Sequence, residues 1–324
     1  MEWRTRITEL LGCKYPIIEG AFAGFGNWQF AAAVADTGAY GLITGHVSRT
    51  PEKLREDIRR CRDATDGSFG VNLSIGRFER IEEMLEVCIE EGVQVETAGY
   101  KPDSLAPRIK EAGVTWIHKA ARVKDALHAE NLGADAVIVV GLEGAGFKSP
   151  EQLPTFVVAT WGSKQFRVPF IAAGGICDAR GFLGALGMGA DGIMMGTAFM
   201  ATKECPINMA TKEALVKSRP DDPQLRHRVL ASSDPAKYAE IMTMRGKLPT
   251  GEWLKMLESI QPGRSGSKSD DGSHQRESGS EGVASLAVGA TDHVLTVREL
   301  VDGIIRGAET ILDSWQFLKT RQPL

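Results

Sequence analysis

The chain has 324 residues, 43% hydrophobic and 25% charged, with 36 glycines, which suffices for one large domain or two ordinary ones. Its net charge of −4 and pI of about 5.9 exclude an electrostatic case for binding nucleic acid or an anionic membrane. The five cysteines, Cys13, Cys61, Cys88, Cys177 and Cys205, are scattered, odd in number and never spaced as CxxC. That spacing argues against a disulfide framework or a zinc site and for a reducing compartment. The first residues carry Glu2, Arg4, Arg6 and Glu9 with no apolar run after them, so neither a signal peptide nor a membrane span is expected and the cytoplasm is the expected location.

In chain order, short apolar runs at 16–18, 41–44, 69–73, 93–97, 115–119, 136–140, 169–172 and 192–195 read as strands. Amphipathic stretches at 51–62, 80–91, 104–112, 123–131 and 179–186 read as helices between them. Eight strand–helix units without strands that read as edges predict an α/β fold, a closed (β/α)8 barrel over about residues 1–200. An open doubly wound sheet is the alternative, and needs weak strands such as 93–97 to be loops. Residues 201–295 read as an additional helical subdomain. Within it the stretch 262–282 is Ser-, Gly- and charge-rich, too polar to bury surface, and is expected to be disordered. Residues 296–324 hold Leu300, Ile304, Ile305, Ile311 and Leu312 at helical spacing, and predict a C-terminal helix packed on the barrel.

The most informative stretch is 169–197, PFIAAGGICDARGFLGALGMGADGIMMGT. Two apolar strands each run straight into glycines, Gly174-Gly175 and Gly196-Thr197. Loops after the last two strands of such a barrel form a common phosphate site, because glycines let backbone N–H groups approach an anion.

These motifs resemble a known family. AAGGI, GADGIMMGT and FMATKECP resemble the FMN phosphate region of nitronate monooxygenases and of the related flavin-dependent enoyl-acyl-carrier-protein reductases. PIIEGAFAG resembles their first strand and turn, Gly70-Val71-Asn72-Leu73 their third, and Ile117-His118-Lys119 their fifth. GVASLAVG at 282–289 resembles their late active-site segment. The resemblance implies a noncovalent FMN with its phosphate on Gly174, Gly175, Gly196 and Thr197, beside Met195. It places Ala21 and Phe22 beneath the ring, Ala145 and Gly146 on the loop after the sixth strand, and Asn72 and Lys119 at strand ends facing the ring or ribityl chain. A lysine at the N1–O2 edge of a flavin stabilises the negative charge of the reduced ring.

The substrate corner departs from the family. After the sixth strand the family reads a glutamate and small residues closed by a histidine; this chain reads Glu143-Gly144-Ala145-Gly146-Phe147. Phenylalanine cannot exchange a proton. Glu19 stands for the usual glutamine of the first strand, Met194 for the glutamine before Met-Gly-Thr, and Ala290 for the glutamine of the late segment. Phe147 thus occupies the catalytic position, with Lys119, His46 and His293 as the remaining candidates for proton handling. His118 adjoins Lys119, so one of the two must point away from the barrel interior. No metal site is expected. The resemblance implies a monooxygenase or oxidase of a carbanion-forming substrate such as a nitronate. The alternatives are a nicotinamide-dependent reductase of an enoyl thioester and a catalytically altered flavoprotein. The expected partners are a small-molecule substrate with oxygen or a nicotinamide, and no nucleic acid or membrane; a homodimer is compatible with the sequence.

Overall fold

Eight parallel strands run in the order β1-β8-β7-β6-β5-β4-β3-β2. They are β1 (Ile17–Glu19), β2 (Gly41–Thr44), β3 (Phe69–Ser74), β4 (Gln94–Ala98), β5 (Trp116–Ala120), β6 (Ala136–Val140), β7 (Phe170–Ala173) and β8 (Gly192–Met195). The computed structural model describes residues 1–20, 25–76, 80–99, 101–146, 149, 151–230, 235–249, 252–253, 256, 285–289 and 292–315. Ala21, Phe22, Phe147 and the stretch 262–282 lie outside the described residues. The sheet closes where Ile18 bridges Tyr40: Tyr40 donates its N–H to Ile17 O at 2.8 Å and Glu19 donates to Tyr40 O at 2.9 Å. The fold is therefore the expected (β/α)8 barrel. The weak stretch at 93–97 is a full strand, registered on β3 with Asn72 opposite Glu96.

Alternation along each strand sorts the side chains. Ile18, Leu42, Ile117, Ile138, Ile171 and Met194 fill the interior as one cluster, joined by Ile7 and Leu11 of the first helix, α1 (Arg6–Leu11). The intervening residues, among them Ile17, Val137, Val139 and Ile193, pack outward under the helices. Local signals begin those helices. Thr50 caps the helix Pro51–Ala64 with Pro51 in its first turn, Asp178 caps the helix Ala179–Gly187, and Thr296 with Glu299 forms a capping box on the helix Val297–Ser314. That last helix buries Leu300, Val301, Ile304 and Ile305. Three helices lie in 201–243, namely Met209–Lys217, Pro223–Leu230 and Pro235–Thr243. Leu215, Leu225 and Val229 from them share one cluster with Phe199 and Leu300. Among the described residues no helix is long and apolar enough to cross a membrane.

Several described elements are absent from the sequence expectation, and two of them show why. The helix Trp28–Ala35 is capped by Asn27 but ends in AAAVA, so it shows no polar face beyond Gln29. A short helix, Thr155–Val157, continues as a π-helix over Val158–Gly162; such segments are rare and carry no sequence signature.

Two buried titratable groups serve the barrel wall. One ladder step beyond the β1–β2 bridge, Leu42 donates its N–H to Glu19 Oε2 at 3.0 Å instead of to a backbone carbonyl. Glu19 is fully buried, and burial pushes its carboxyl up to about 8. On the outer face of β5, Trp116 Nε1 donates to Thr97 Oγ1 at 2.8 Å, and that hydroxyl lies 2.8 Å from His118 Nδ1. Burial pulls His118 down to about 3.

These two groups give opposite pH slopes. Folded Glu19 keeps its proton up to about 8, whereas an ordinary glutamate releases it near 4.5, so stability falls as pH rises through that window. Glu19→Gln still accepts from Leu42 and cannot ionise. In urea melts between about pH 5 and pH 8.5 the variant should gain on the wild type by more than about 1 kcal/mol at the alkaline end; parallel profiles would refute the buried acid. Folded His118 resists protonation down to about 3 while the unfolded imidazole takes a proton near 6.5, so its stabilisation is complete above 6.5 and is lost as pH falls below it. His118→Gln should flatten that acid-side loss in the same melts.

Candidate functional site

The C-terminal ends of the strands form a mouth with two chemically different halves. The inward positions of β2 to β5 there are polar, Thr44, Asn72, Ser74, Glu96 and Lys119, with Ala98 the exception between Ser74 and Lys119. Those of β6 to β8 are Val140, Ala173 and Met194, which belong to the interior apolar cluster or pack on it.

The polar half is a bonded network. Ser74 Oγ donates to Asn72 Oδ1 at 2.9 Å, which turns the Asn72 amide so that Nδ2 donates to Glu96 Oε1 at 3.1 Å. Lys119 Nζ lies 3.1 Å from the same oxygen. The Glu96 side chain has no exposure and that of Lys119 is 13% exposed, so the lysine is the member of the pair that keeps contact with solvent. Glu96 Oε2 and Thr44 Oγ1 are buried without a hydrogen-bond partner. Sequence reasoning paired Asn72 with Lys119 as strand-end residues and missed Glu96, which joins them. The signal was present in the alternation of QVETA, where a glutamate occupies an inward position of an otherwise buried strand.

Opposite this network lie the turns after β7 and β8. Gly174 and Gly175 both have positive φ, 103° and 72°, a region that disfavours any residue with a Cβ. A Cβ on Gly174 would stand 2.9 Å from Thr155 Oγ1, and one on Gly20 would stand 2.9 Å from Met195 O. Among the described residues the amides of Gly175 and Gly196 have no acceptor, and Thr197 opens the short helix Thr197–Met200. Unclaimed amides on glycine turns suit a phosphate group. The Glu143 carboxylate beside Gly175 is held by Thr155, which donates to Oε2 from its N–H at 2.8 Å and from its hydroxyl at 2.7 Å.

The late segment 285–289 ties these loops together. Ser285 donates its N–H to Thr197 Oγ1 at 2.9 Å, Thr197 donates its hydroxyl to Ser285 Oγ at 2.9 Å, and Leu286 donates to Glu143 O at 3.0 Å. The Thr197 hydroxyl hydrogen, expected on a phosphate, is directed at Ser285. A cleft lined by Cys177, Thr197, Ala198, Ala287 and Val288 opens beside it. Ser285 is a second site residue that sequence reasoning missed, because nothing local marks a serine that bonds 88 positions back along the chain.

The other expected residues separate. His46 lies in the single turn Gly45–Ser48 directly after β2, half-buried at the mouth. His293 is 68% exposed beside Asp292, on the approach to the C-terminal helix. Ala145 is half-buried and Gly146 exposed on the loop after β6, Gly146 with φ 106°. Met195 is buried and its side chain packs outward beneath the helices. His118 is the member of its pair that leaves the barrel. Among the described residues no cluster of potential metal ligands occurs.

Comparison with known proteins places this geometry. A carboxyl-CoA dehydrogenase of Mycobacterium tuberculosis, (3aS,4S,5R,7aS)-5-hydroxy-7a-methyl-1-oxo-octahydro-1H-indene-4-carboxyl-CoA dehydrogenase, is 32% identical over 71% of this chain and 64% of its own length. The match thus spans just under two thirds of that relative. The protein of the same name from Rhodococcus jostii is 28% identical over 96% of this chain and 97% of its own. A probable nitronate monooxygenase of Staphylococcus aureus is 29% identical over 68% of this chain and 74% of its own. Among solved structures, FabK from Thermotoga maritima superposes with a TM-score of 0.76 at 28% identity, covering 97% of this chain and 99% of that one. The nitroalkane oxidase of Streptomyces ansochromogenes shares the fold at a TM-score of 0.69 and 21% identity, over 96% of this chain and 100% of that one. The nitronate monooxygenase profile matches residues 4–306, from the helix that closes the barrel floor to the one that packs beside the β7 and β8 units, and this chain is an oxidoreductase of the nitronate monooxygenase family.

Proposed function

We propose that this chain is an FMN-dependent oxidoreductase acting on an acyl thioester of the coenzyme A type, at a carbon activated by the neighbouring carbonyl. The observation that carries the reading is the divided mouth: Asn72, Glu96 and Lys119 on one side, Val140, Ala173 and Met194 on the other, with unclaimed glycine amides beside them. Such a mouth takes a planar ring with one polar edge and leaves an apolar wall for a substrate carbon. The two relatives named as carboxyl-CoA dehydrogenases support the thioester. The enoyl-acyl-carrier-protein reductases that the motifs resemble also act on thioesters.

In this reading the amides of Gly175 and Gly196 hold the FMN phosphate, with the Thr197 amide at the start of its short helix. Asn72 and Lys119 hold the polar edge of the ring. When bound, the flavin supplies hydride transfer to or from the substrate carbon. Val140, Ala173 and Met194 exclude water from that carbon. The Thr197 hydroxyl acts through Ser285, keeping 285–289 closed over the glycine turns. His46, directly after β2, is the imidazole placed to hold a substrate proton at the mouth, where the family histidine position is Phe147. We assign the helices Met209–Lys217, Pro223–Leu230 and Pro235–Thr243, within the subdomain expected at 201–295, to the substrate side. Oxidation of a nitronate by oxygen is a second reading, favoured by the family profile and the Staphylococcus aureus relative.

The test is direct. Heat should release FMN from the purified protein, and anaerobic addition of acyl-CoA, NADH, NADPH and ethyl nitronate in turn should bleach the flavin with a thioester or a nicotinamide. Bleaching by ethyl nitronate alone would install the second reading; a protein that takes up no FMN would refute both. Gly175→Ala, forced into the left-handed region at φ 72°, should weaken FMN retention about tenfold or more in a fluorescence titration of the apoprotein. Thr197→Ala removes both bonds of the clasp and Ser285→Ala only the hydroxyl–hydroxyl one, so both should loosen FMN, Thr197→Ala the more. A loss confined to Thr197→Ala would mean that its hydroxyl contacts the phosphate directly.

A further inference from the structure

Glu96 and Lys119 do not sit at the same depth. Glu96 is registered opposite Ile117 and Lys119 opposite Ala98, so the carboxylate lies one inward position below the lysine. An extended lysine at that level would project into the mouth; here its ammonium is 3.1 Å from Glu96 Oε1. The carboxylate is itself fixed from the other side by Asn72, whose amide is set by Ser74. A carboxylate with no exposure is costly unless it is paired, and hydrophobic replacements of such pairs are often better tolerated than the pair itself. Here one oxygen takes both donors and, among the described residues, the other, Oε2, has none.

We propose that Glu96 is a positioning residue that draws the Lys119 ammonium down to β4 and sets one negative charge against it, so that a cofactor ring laid on the mouth meets a near-neutral pair instead of a bare cation. The proposal rests on the flavin reading above and deepens it. A bare cation at the polar edge stabilises the negative charge gained on reduction and raises the reduction potential. An adjacent carboxylate opposes that field, because the two charges are close and the interior screens them poorly. Glu96 thereby lowers the potential at which the bound ring accepts electrons, while Lys119 keeps its orientation.

The experiment is the two-electron reduction potential of the FMN-loaded protein, read by equilibration with reference dyes during photoreduction. Glu96→Gln removes the negative charge and should move the potential to more positive values. Glu96→Asp, shorter by one methylene, lengthens the pair and should give a smaller shift of the same sign. Adding Lys119→Met to Glu96→Gln removes both charges and should bring the potential back towards the wild type. Should Glu96→Gln fail to fold, the Asp variant still decides between shift and no shift. An unchanged potential in Glu96→Asp and Glu96→Gln, or a double variant displaced as far as the single one, would overturn the proposal. FMN uptake by the wild type is read first: without it the proposed function falls and this inference with it, whereas normal uptake with unmoved potentials refutes the inference alone.

Discussion

A parallel sheet of eight strands becomes a barrel only if its first and last members find each other, and in this chain that meeting is narrow. β1 has three residues, and it is joined to the β2 side by the Ile17–Tyr40–Glu19 exchange and by one side chain, the Glu19 carboxyl on the Leu42 amide. Elsewhere each β-ladder registers three to five residue pairs. The carboxyl replaces a backbone acceptor at the step where β1 turns away from β2. Everything at the mouth is placed relative to that seam, because closure sets which residues of β3, β4 and β5 face those of β7 and β8. Local opening of the barrel should begin at this seam, where the fewest hydrogen bonds must break.

With the barrel closed, the interior splits by chemistry. Apolar side chains fill the lower layers, and among the described residues the ionisable side chains of the interior, Glu96 and Lys119, stand above them on β4 and β5. That placement follows from the cost of burying charge: Glu96 and Lys119 are retained where each has the other, and where the lysine keeps a path to solvent. The opposite wall has no such groups and ends in glycine turns. A ligand that bridges the two walls must be polar at one edge, flat or apolar across its middle, and anionic at its far end. The flavin mononucleotide proposed above meets those demands, and the glycine turns and the polar strand ends were the parts of this pattern that the sequence motifs already carried.

Much of the architecture was legible because it is local. Strands at 41–44, 136–140 and 192–195 stand at the predicted bounds, since apolar runs bordered by glycine leave little freedom. The helices begun by Thr50-Pro51, Asp178 and Thr296 were legible for the same reason. The helix Trp28–Ala35 was not, because both its faces are apolar and it shows no amphipathic period. In the site, Asn72 and Lys119 were visible as polar residues at strand ends. Glu96 became a partner of both only through lateral register between β3, β4 and β5, which no local pattern encodes. The same holds for Thr197 and Ser285, which meet across a long stretch of chain, and for Glu19, which reads as a substituted glutamine and acts as a piece of sheet.

The cysteines close the account from another side. Four of the five are buried and Cys177 is half-buried. Burial pushes the thiols of Cys13, Cys61 and Cys205 up to about 12 and that of Cys177 up to about 11, and raises Cys88 as well. Oxidants attack the thiolate, and at neutral pH almost none is present. A redox cofactor that spills electrons to oxygen generates peroxide at its own doorstep, and a protein with a reactive thiol nearby would wear out by sulfenylation. This chain keeps its sulfur in the unreactive form, so its working life beside such a cofactor should be limited by loss of the cofactor or of the fold and not by damage to cysteine.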